Sequence, residues 1–334
     1  MIKSKNNLLK KVLLRQEIPV LIAVLILGTV FSMVSKNFLS AYNIYTLSRT
    51  AALYMFVALA QSMVVIVGGM NVSLGYIGSM SVVTAGYFMQ NLQMSPATAV
   101  IASLIVGILA GAFNGFVIIR LKLNAFIVTL ATSFIYQGLV TGVSEGFPYT
   151  NIDKGFTWLG RGKFLGLPLM LYFAVIVLVI VWFFFRKTVT GRRLLATGGN
   201  MAAARMAAVN TDSCVLVANI LSGLFAAVAG ICSVSMNGAA QPTTGSDWMI
   251  YSFAVSVIGG TALSGGVIQP VGIFIASYLI VMIKNGLVMM NANIYYEQTY
   301  LGLILLVAVS LTSLSTIFKE MKRRKKFRSG SLTE

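Results

Sequence analysis

Residues 167–185 read LPLMLYFAVIVLVIVWFFF, and residues 186–210, which follow directly, read RKTVTGRRLLATGGNMAAARMAAVN. An uncharged apolar run of this length predicts a helix that crosses a membrane. Another apolar run begins near residue 212, so the second segment is a loop between two such helices. This loop carries five basic residues and no acid. Loops of that composition remain on the cytoplasmic side, which predicts a polytopic membrane protein and its orientation.

The composition of the whole chain indicates the same class. Of its 334 residues, 57% are hydrophobic and 10% are charged, whereas soluble domains carry about 25% charged residues. The net charge of +17 comes from basic residues at the termini and in short loops, where they determine membrane topology. We therefore expect a lipid bilayer around the chain, with the run 322–326 near anionic lipid, and no nucleic acid partner.

Apolar runs predict an all-α protein with about ten transmembrane helices, in one permease domain that occupies residues 1–334. The runs lie at 18–36, 44–68, 74–91, 96–119, 124–142, 167–185, 212–236, 248–264, 268–290 and 298–318. An even number of spans places both termini and the loop 186–210 in the cytoplasm. The segment 143–166, in which acidic and basic residues are nearly balanced, is then an external loop.

The positions of the acids and the absence of a nucleotide-binding motif limit the energy sources that such a protein can use. The chain has no histidine and no Gly-x4-Gly-Lys-Ser/Thr pattern for binding a nucleotide. None of its eight acids lies clearly within a span, although proton- or sodium-coupled carriers bury acids. We expect no metal site, no cofactor bound by this chain and no enzymatic activity of its own. A gradient-driven carrier for a neutral solute remains an alternative to a transporter that a partner powers.

Two glycine-rich segments form a weak internal repeat. Residues 64–75 read VVIVGGMNVSLG, and residues 255–266 read VSVIGGTALSGG. Transporters are often built from repeats whose interrupted helices lie near the substrate path. Glycine and serine also let helices pack closely, which gives a second explanation of the same pattern. The two explanations are compatible, and both stay open at this point.

Several motifs resemble those of the ribose-type ABC sugar permeases. Residues 68–75 resemble that family's signature Gly-Gly-Ile-Asp-Leu-Ser-Val-Gly, and residues 198–205 resemble its coupling segment Gly-Gly-Asn-x-Glu-Ala-Ala-Arg. Further matches follow in the family's order at 190–192, 241–242, 245–246, 259–266, 285–287, 295–296 and 298. The resemblance covers nearly the whole chain, and it is specific because the motifs occur in the right order.

The resemblance implies the membrane-spanning subunit of a bacterial ABC importer for a monosaccharide or a related small polar solute, in the inner membrane. It implies a pathway formed by two permease subunits that works by alternating access. Two cytoplasmic ATP-binding subunits would dock on the loop 186–210 and would bind ATP and Mg²⁺ themselves. An external solute-binding protein would deliver the solute.

Four positions depart from the family's pattern. Asn71 replaces an Asp, Ala202 a Glu, and Ala208 a Gly, while residues 249–251 replace Glu-Leu-Asp. Three of these changes remove acids. The second permease subunit is either another copy of this chain or a different one, and the lost acids lead us to hypothesise a different chain that keeps them.

The residues predicted to couple the chain to the ATPase lie in the cytoplasmic loop. The two glycines are expected to break the segment before them, and Asn200 to cap a short helix from Met201 to Ala208. A solvated connector is the alternative. The predicted coupling residues, of which the last two are the anchors, are Gly198, Gly199, Asn200, Ala203, Ala204, Arg205 and Met206.

Polar residues in or beside the spans are candidates for the translocation pathway. Asn71 and Ser73, where a helix is interrupted, could bind a hydroxylated solute or satisfy freed backbone groups. The remaining candidates are Gln61, Gln137 and Asn237. Charges in the external loop could dock the binding protein by complementarity or could be solvated, and they are Asp153, Lys154, Arg161 and Lys163.

Overall fold

The computed structural model describes residues 17–290 and, beyond them, residues 296, 298–300, 302, 303 and 306. The chain forms two compact units, residues 1–286 and residues 287–334. The elements described below belong to the first unit, except for the last three residues of the final helix. The predicted span 298–318 falls for the most part outside the described residues, and the basic run 322–326 falls entirely outside them.

Helices account for nearly all of the described secondary structure. In chain order they are α1 (Glu17–Val34), α2 (Ala41–Val65), α3 (Leu74–Gln90), α4 (Pro96–Leu121), α5 (Ala125–Ser144), α6 (Trp158–Arg161), α7 (Leu169–Lys187), α8 (Val189–Gly199), α9 (Met201–Met206), α10 (Thr211–Asn237), α11 (Trp248–Ile258) and α12 (Pro270–Met289). A two-stranded antiparallel hairpin, β1 (Lys163–Phe164) and β2 (Leu167–Pro168), precedes α7.

Nine of the ten predicted spans correspond to helices of the structure. The helices α2, α4, α5, α7, α10 and α12 are each long and apolar enough to cross a membrane, while α1 and α11 are apolar but shorter. A helical polytopic membrane protein is therefore confirmed. The count of ten spans and the cytoplasmic placement of the two termini stay predictions.

Side-chain caps define where several of the helices begin. The side-chain oxygens of Ser40, Ser95, Asn124 and Asn210 accept hydrogen bonds from backbone N–H groups in the first turns of α2, α4, α5 and α10. These N–H groups have no partner inside their own helix. Capping by Ser and Asn gives these N–H groups a hydrogen-bond partner. Such a partner matters most inside a membrane, where no water can replace it.

The helix α2 lies at the centre of the described structure. Nearly all of its residues from Ala51 onward are buried, and it packs against α7, α10 and α11. By contrast, α4, α5 and α7 expose most of their surfaces, including large apolar side chains such as Leu109, Phe134 and Ile180. An apolar exterior of this kind is compatible with lipid as the surrounding solvent.

Glycines allow α4 and α10 to pack with their backbones in close approach. A Cβ atom added at Gly111 would overlap the carbonyl oxygen of Asn219, and one added at Gly223 would overlap that of Gly107. Helices in membranes associate through such small-residue surfaces because lipid offers no hydrophobic force between them. Close packing therefore explains at least these glycines without a role in transport.

Each half of the sequence repeat interrupts a helix. The helix α2 ends at Val65 and α3 begins at Leu74, while α11 ends at Ile258 and α12 begins at Pro270. The left-handed conformation falls on Gly68 in the first break, with φ of 80°, but on Gly260, Gly265 and Gly266 in the second, with φ of 91°, 84° and 77°. The two breaks thus correspond in position along the repeat but not in detailed backbone shape.

Candidate functional site

The helix α8 leads from the end of α7 into the predicted coupling segment. The hydroxyl of Thr188 caps it by accepting a hydrogen bond of 3.0 Å from the backbone N–H of Gly191. The glycine pair does not break this helix, contrary to the sequence-based expectation, because α8 continues through Gly199. The break follows at Asn200, whose φ of −162° and ψ of 103° are extended.

Asn200 caps the short helix α9, as the sequence predicted. Its side-chain oxygen accepts a hydrogen bond of 2.9 Å from the backbone N–H of Ala203. The helix ends at Met206, two residues before the predicted end. Asn200 therefore separates the two helices, and it fixes where the second one starts.

A Schellman motif ends α9. The backbone N–H of Ala208 donates to the carbonyl of Arg205, and that of Val209 donates to the carbonyl of Ala204, each at 3.0 Å. The motif places Ala208 in the left-handed region, with φ of 57°. Glycine is the residue that usually occupies this position. The departure noted at Ala208 thus falls on a backbone position for which glycine is the better residue.

The faces of α9 differ in what they contact. Ala204 is buried against the rest of the chain, whereas Met206 is 90% exposed. Met201 and the alanines at 202 and 203 are exposed as well. An exposed, flexible thioether beside small side chains suits a protein surface that receives a helix. The structure thus leaves one of the two predicted anchors, Met206, exposed, and its contact with a partner stays a prediction.

The other predicted anchor, Arg205, is engaged within the chain. Its Nε donates to the hydroxyl of Thr211 at 2.8 Å, and its Nη2 lies 3.3 Å from Oδ1 of Asp212. Both partners lie in the first turn of α10, so the guanidinium ties α9 to the start of that helix. The sequence reading missed these partners, although an acid in the first turn of a helix is a recognisable signal.

A buried network surrounds the break between α2 and α3. The side-chain oxygen of Asn71 accepts hydrogen bonds from the backbone N–H of Ser73 at 3.0 Å and from its hydroxyl at 2.8 Å. The Asn71 amide donates to Ser222 on α10, and Asn114 on α4 donates to the Ser73 hydroxyl. Asn71 and Ser73 are fully buried in the chain and satisfy each other.

The other pathway candidates lie elsewhere. Gln61 on α2 is fully buried, and the described residues give no hydrogen-bond partner to its side chain. Gln137 is exposed on α5, and Asn237, the last residue of α10, is exposed and donates to Ser233. Hydrogen bonds join only Asn71 and Ser73 among the five candidates. Their lining of a pathway stays a prediction for all five.

The four charged candidates of the predicted external loop fall into two pairs. Asp153 and Lys154 are exposed, with Asp153 accepting a 2.6 Å hydrogen bond from the backbone N–H of Gly155. Arg161 donates to the backbone carbonyls of Met236 and Asn237 at the end of α10, and Lys163 lies 4.5 Å from the ring centroid of Tyr45. The second pair anchors the loop to the helices, and the first projects from it.

Comparison with known proteins identifies the family to which this chain is similar. The family model described as "Branched-chain amino acid transport system / permease component" matches residues 43–309. The ribose import permease protein RbsC of Bacillus subtilis (strain 168) is 33% identical over 299 residues, which cover 89% of this chain and 92% of that protein. RbsC of Escherichia coli (strain K12) is 29% identical over 296 residues, or 86% of this chain and 91% of that protein.

The similarity is not limited to ribose permeases. The D-allose transport system permease protein AlsC of Escherichia coli (strain K12) is 29% identical over 284 residues, which cover 85% of this chain and 87% of that protein. No solved structure matches the chain. The resemblance seen in the sequence motifs is thus confirmed by relatives that align with most of the chain.

Proposed function

The chain belongs to the permease-component family of the branched-chain amino acid transport systems, within which it resembles the ribose-type sugar permeases, and we propose that it is the membrane-spanning subunit of an ATP-driven importer. It is a multi-pass protein of the bacterial inner membrane. Its solute in this proposal is a monosaccharide or a related small polar molecule. Its relatives include a ribose import permease and a D-allose transport system permease, which supports that class.

The geometry of α9 carries the proposal. The helix is capped at Asn200, closed at Ala208 and joined to α10 through Arg205, so hydrogen bonds define both of its ends. It nevertheless exposes Met206 almost completely. A helix that is already formed and presents an apolar side chain needs less ordering when a partner binds, which favours docking. We assign that partner as a cytoplasmic ATP-binding subunit.

The positions of the acids in the described part of the chain agree with an energy source on a separate subunit. Asp153 and Asp212 are exposed, and no acid is buried among the residues whose burial the structure describes. A carrier driven by protons or sodium ions would need acids within its spans. The sequence also lacks a nucleotide-binding loop. In our proposal ATP and Mg²⁺ bind to the partner, whose closure moves α9 and drives alternating access.

Two further partners complete the proposed importer. The external loop, from which Asp153 and Lys154 project, receives a solute-binding protein. The second permease subunit is a different chain in our proposal, because three of the four departures from the family's motifs remove acids. A native complex that contains this chain as its only permease would contradict the heteromeric pairing without affecting the rest.

Uptake by cells tests the proposed function. We would delete the gene of this chain, follow a panel of radiolabelled pentoses and hexoses, and restore the gene as the control. Uptake of at least one sugar should fall and return with the gene. It should persist when an uncoupler removes the proton gradient while cellular ATP is held high. Collapse of the restored uptake under those conditions would indicate a gradient-driven carrier instead.

A further inference from the structure

Two other backbone segments contact Gly198, which is the second-last residue of α8. The first segment is the end of α2 at Ile66, and the second is the break between α11 and α12 at Gly265 and Gly266. The backbone N–H of Gly266 donates a 2.9 Å hydrogen bond to the carbonyl oxygen of Ile66. The two breaks of the sequence repeat are therefore joined to each other beside the coupling loop.

Gly198 fits against this hydrogen bond without room for a side chain. A Cβ atom added there would overlap the Ile66 carbonyl oxygen and would lie 2.7 Å from the Gly266 nitrogen. From the opposite direction, a Cβ atom added at Gly265 would lie 2.7 Å from the Gly198 carbonyl oxygen. Gly198, Ile66, Gly265 and Gly266 form what we call the glycine junction.

The contacts in the glycine junction are between backbone atoms, and this decides how they respond when one helix moves. A flexible side chain can change rotamer when its neighbour moves, but a backbone carbonyl moves only with its helix. Packed interiors are incompressible enough to transmit such displacements. Asn200, which caps α9, is two residues from Gly198. A displacement of α9 therefore has a short route to Gly198, and from there direct backbone contacts lead to both helix breaks.

We infer that Gly198 is the positioning residue through which movement of α9 reaches the two helix breaks. The inference rests on the proposed function, because it assumes an ATPase that moves α9. Turn hydrogen bonds hold both breaks in place of a continuous helical ladder, and interrupted helices of this kind lie near the substrate site in many transporters. One glycine would thus move the end of α2 and the break between α11 and α12 together, rather than one after the other.

A paired substitution tests the inference in the whole complex. Gly198→Ala forces the Ile66 carbonyl away, whereas a Cβ atom at neighbouring Gly199 meets nothing within 4 Å. Both variants would be purified with the ATPase, and hydrogen exchange would be measured with and without a non-hydrolysable ATP analogue and Mg²⁺. The readout is the nucleotide-induced change at residues 201–206, 62–68 and 262–268.

The expected result separates the two glycines. In the unmodified chain and in Gly199→Ala, all three segments respond to the nucleotide. In Gly198→Ala, residues 201–206 still respond, but the response of both breaks falls at least about fivefold, the lower end of typical coupling between sites. An undiminished response of both breaks in Gly198→Ala would overturn the inference. If Gly198 had only a structural role, Gly198→Ala would change the nucleotide response of all three segments alike. That result would also overturn the inference.

The unmodified complex provides a measurement that does not depend on a folded variant. If Gly198→Ala fails to assemble, nucleotide is titrated into the unmodified complex, and the three segments should respond with one midpoint. A response at 62–68 without one at 262–268 would overturn the inference. If no ATPase binds the unmodified chain, the proposed function fails, and the inference fails with it. If α9 responds normally and the breaks do not, only the inference fails.

Discussion

The side-chain amide of Asn71, at the break between α2 and α3, donates a 2.9 Å hydrogen bond to the hydroxyl of Ser222 on α10. Both residues are fully buried. The bond fixes the interrupted segment to a continuous helix, and the oxygen of the same amide holds Ser73. An aspartate, which the ribose-type signature has at this position, would offer no donor to Ser222.

Asn71→Ala should destabilise the chain, because it leaves buried partners unsatisfied. A lost buried hydrogen-bond partner costs about 1–3 kcal/mol. We expect a lower unfolding temperature in detergent, whereas Asn91→Ala, at an exposed residue after α3, should leave that temperature nearly unchanged. Unchanged stability of Asn71→Ala together with altered solute preference would instead favour a direct role for Asn71 in the pathway.

Replacing glycine by alanine should change the stability of the fold in opposite directions on two helices. Gly111→Ala on α4 should destabilise by about 1–3 kcal/mol, because the added Cβ atom overlaps the Asn219 carbonyl oxygen. Gly138→Ala on α5 meets nothing within 4 Å and should gain about 0.5–1 kcal/mol from helix propensity. Thermal unfolding in detergent measures both. Equal effects at the two positions would contradict the close packing of α4 on α10.

Ala208→Gly should stabilise the end of α9. Ala208 has a φ of 57°, a conformation that costs about 1–2 kcal/mol for an L-residue and that glycine adopts freely. The matched control is Ala207→Gly, where φ is −84° and no strain is relieved. We expect a higher unfolding temperature for the first variant only. A loss of stability in both variants would show that the Schellman geometry is wrong.

Met206→Asp should weaken binding of the ATPase. The substitution places a charge on the most exposed apolar position of α9, and a central apolar contact typically contributes enough for a loss on the order of tenfold or more. The same substitution at Met94, which is 45% exposed between α3 and α4, is the control. Quantifying the ATPase that co-purifies with each variant measures the effect. Equal retention by both variants would place the docking surface elsewhere.

The positions of nine predicted spans agree with helices of the structure, because apolar runs mark segments that avoid water, either against lipid or, as for most of α2, inside the protein. The run 248–264 shows the limit of that reasoning. Its helix α11 ends at Ile258, six residues before the predicted end of the span at 264, and Gly259 and Gly260 then turn the chain. Hydropathy alone does not distinguish a buried helix from a buried turn. The glycine pair was the available signal.

In the coupling loop, local interactions were predictable and tertiary ones were not. The capping role of Asn200 depends on neighbours within three residues, and the sequence predicted it correctly. The engagement of Arg205 by Asp212 depends on how α10 leaves the loop. The contact of Gly198 with Ile66 joins residues more than one hundred positions apart. Spacing along the chain carries no information about such a contact, so only the structure reveals it.

The central claim is that this chain works with an ATP-binding subunit. The most direct measurement is gentle purification of the tagged full-length chain from native membranes, followed by identification and quantification of every protein that accompanies it. The account predicts an ABC-type ATPase in fixed proportion to the chain. Absence of any ATPase, under conditions that retain one for a known importer purified in parallel, would contradict the account.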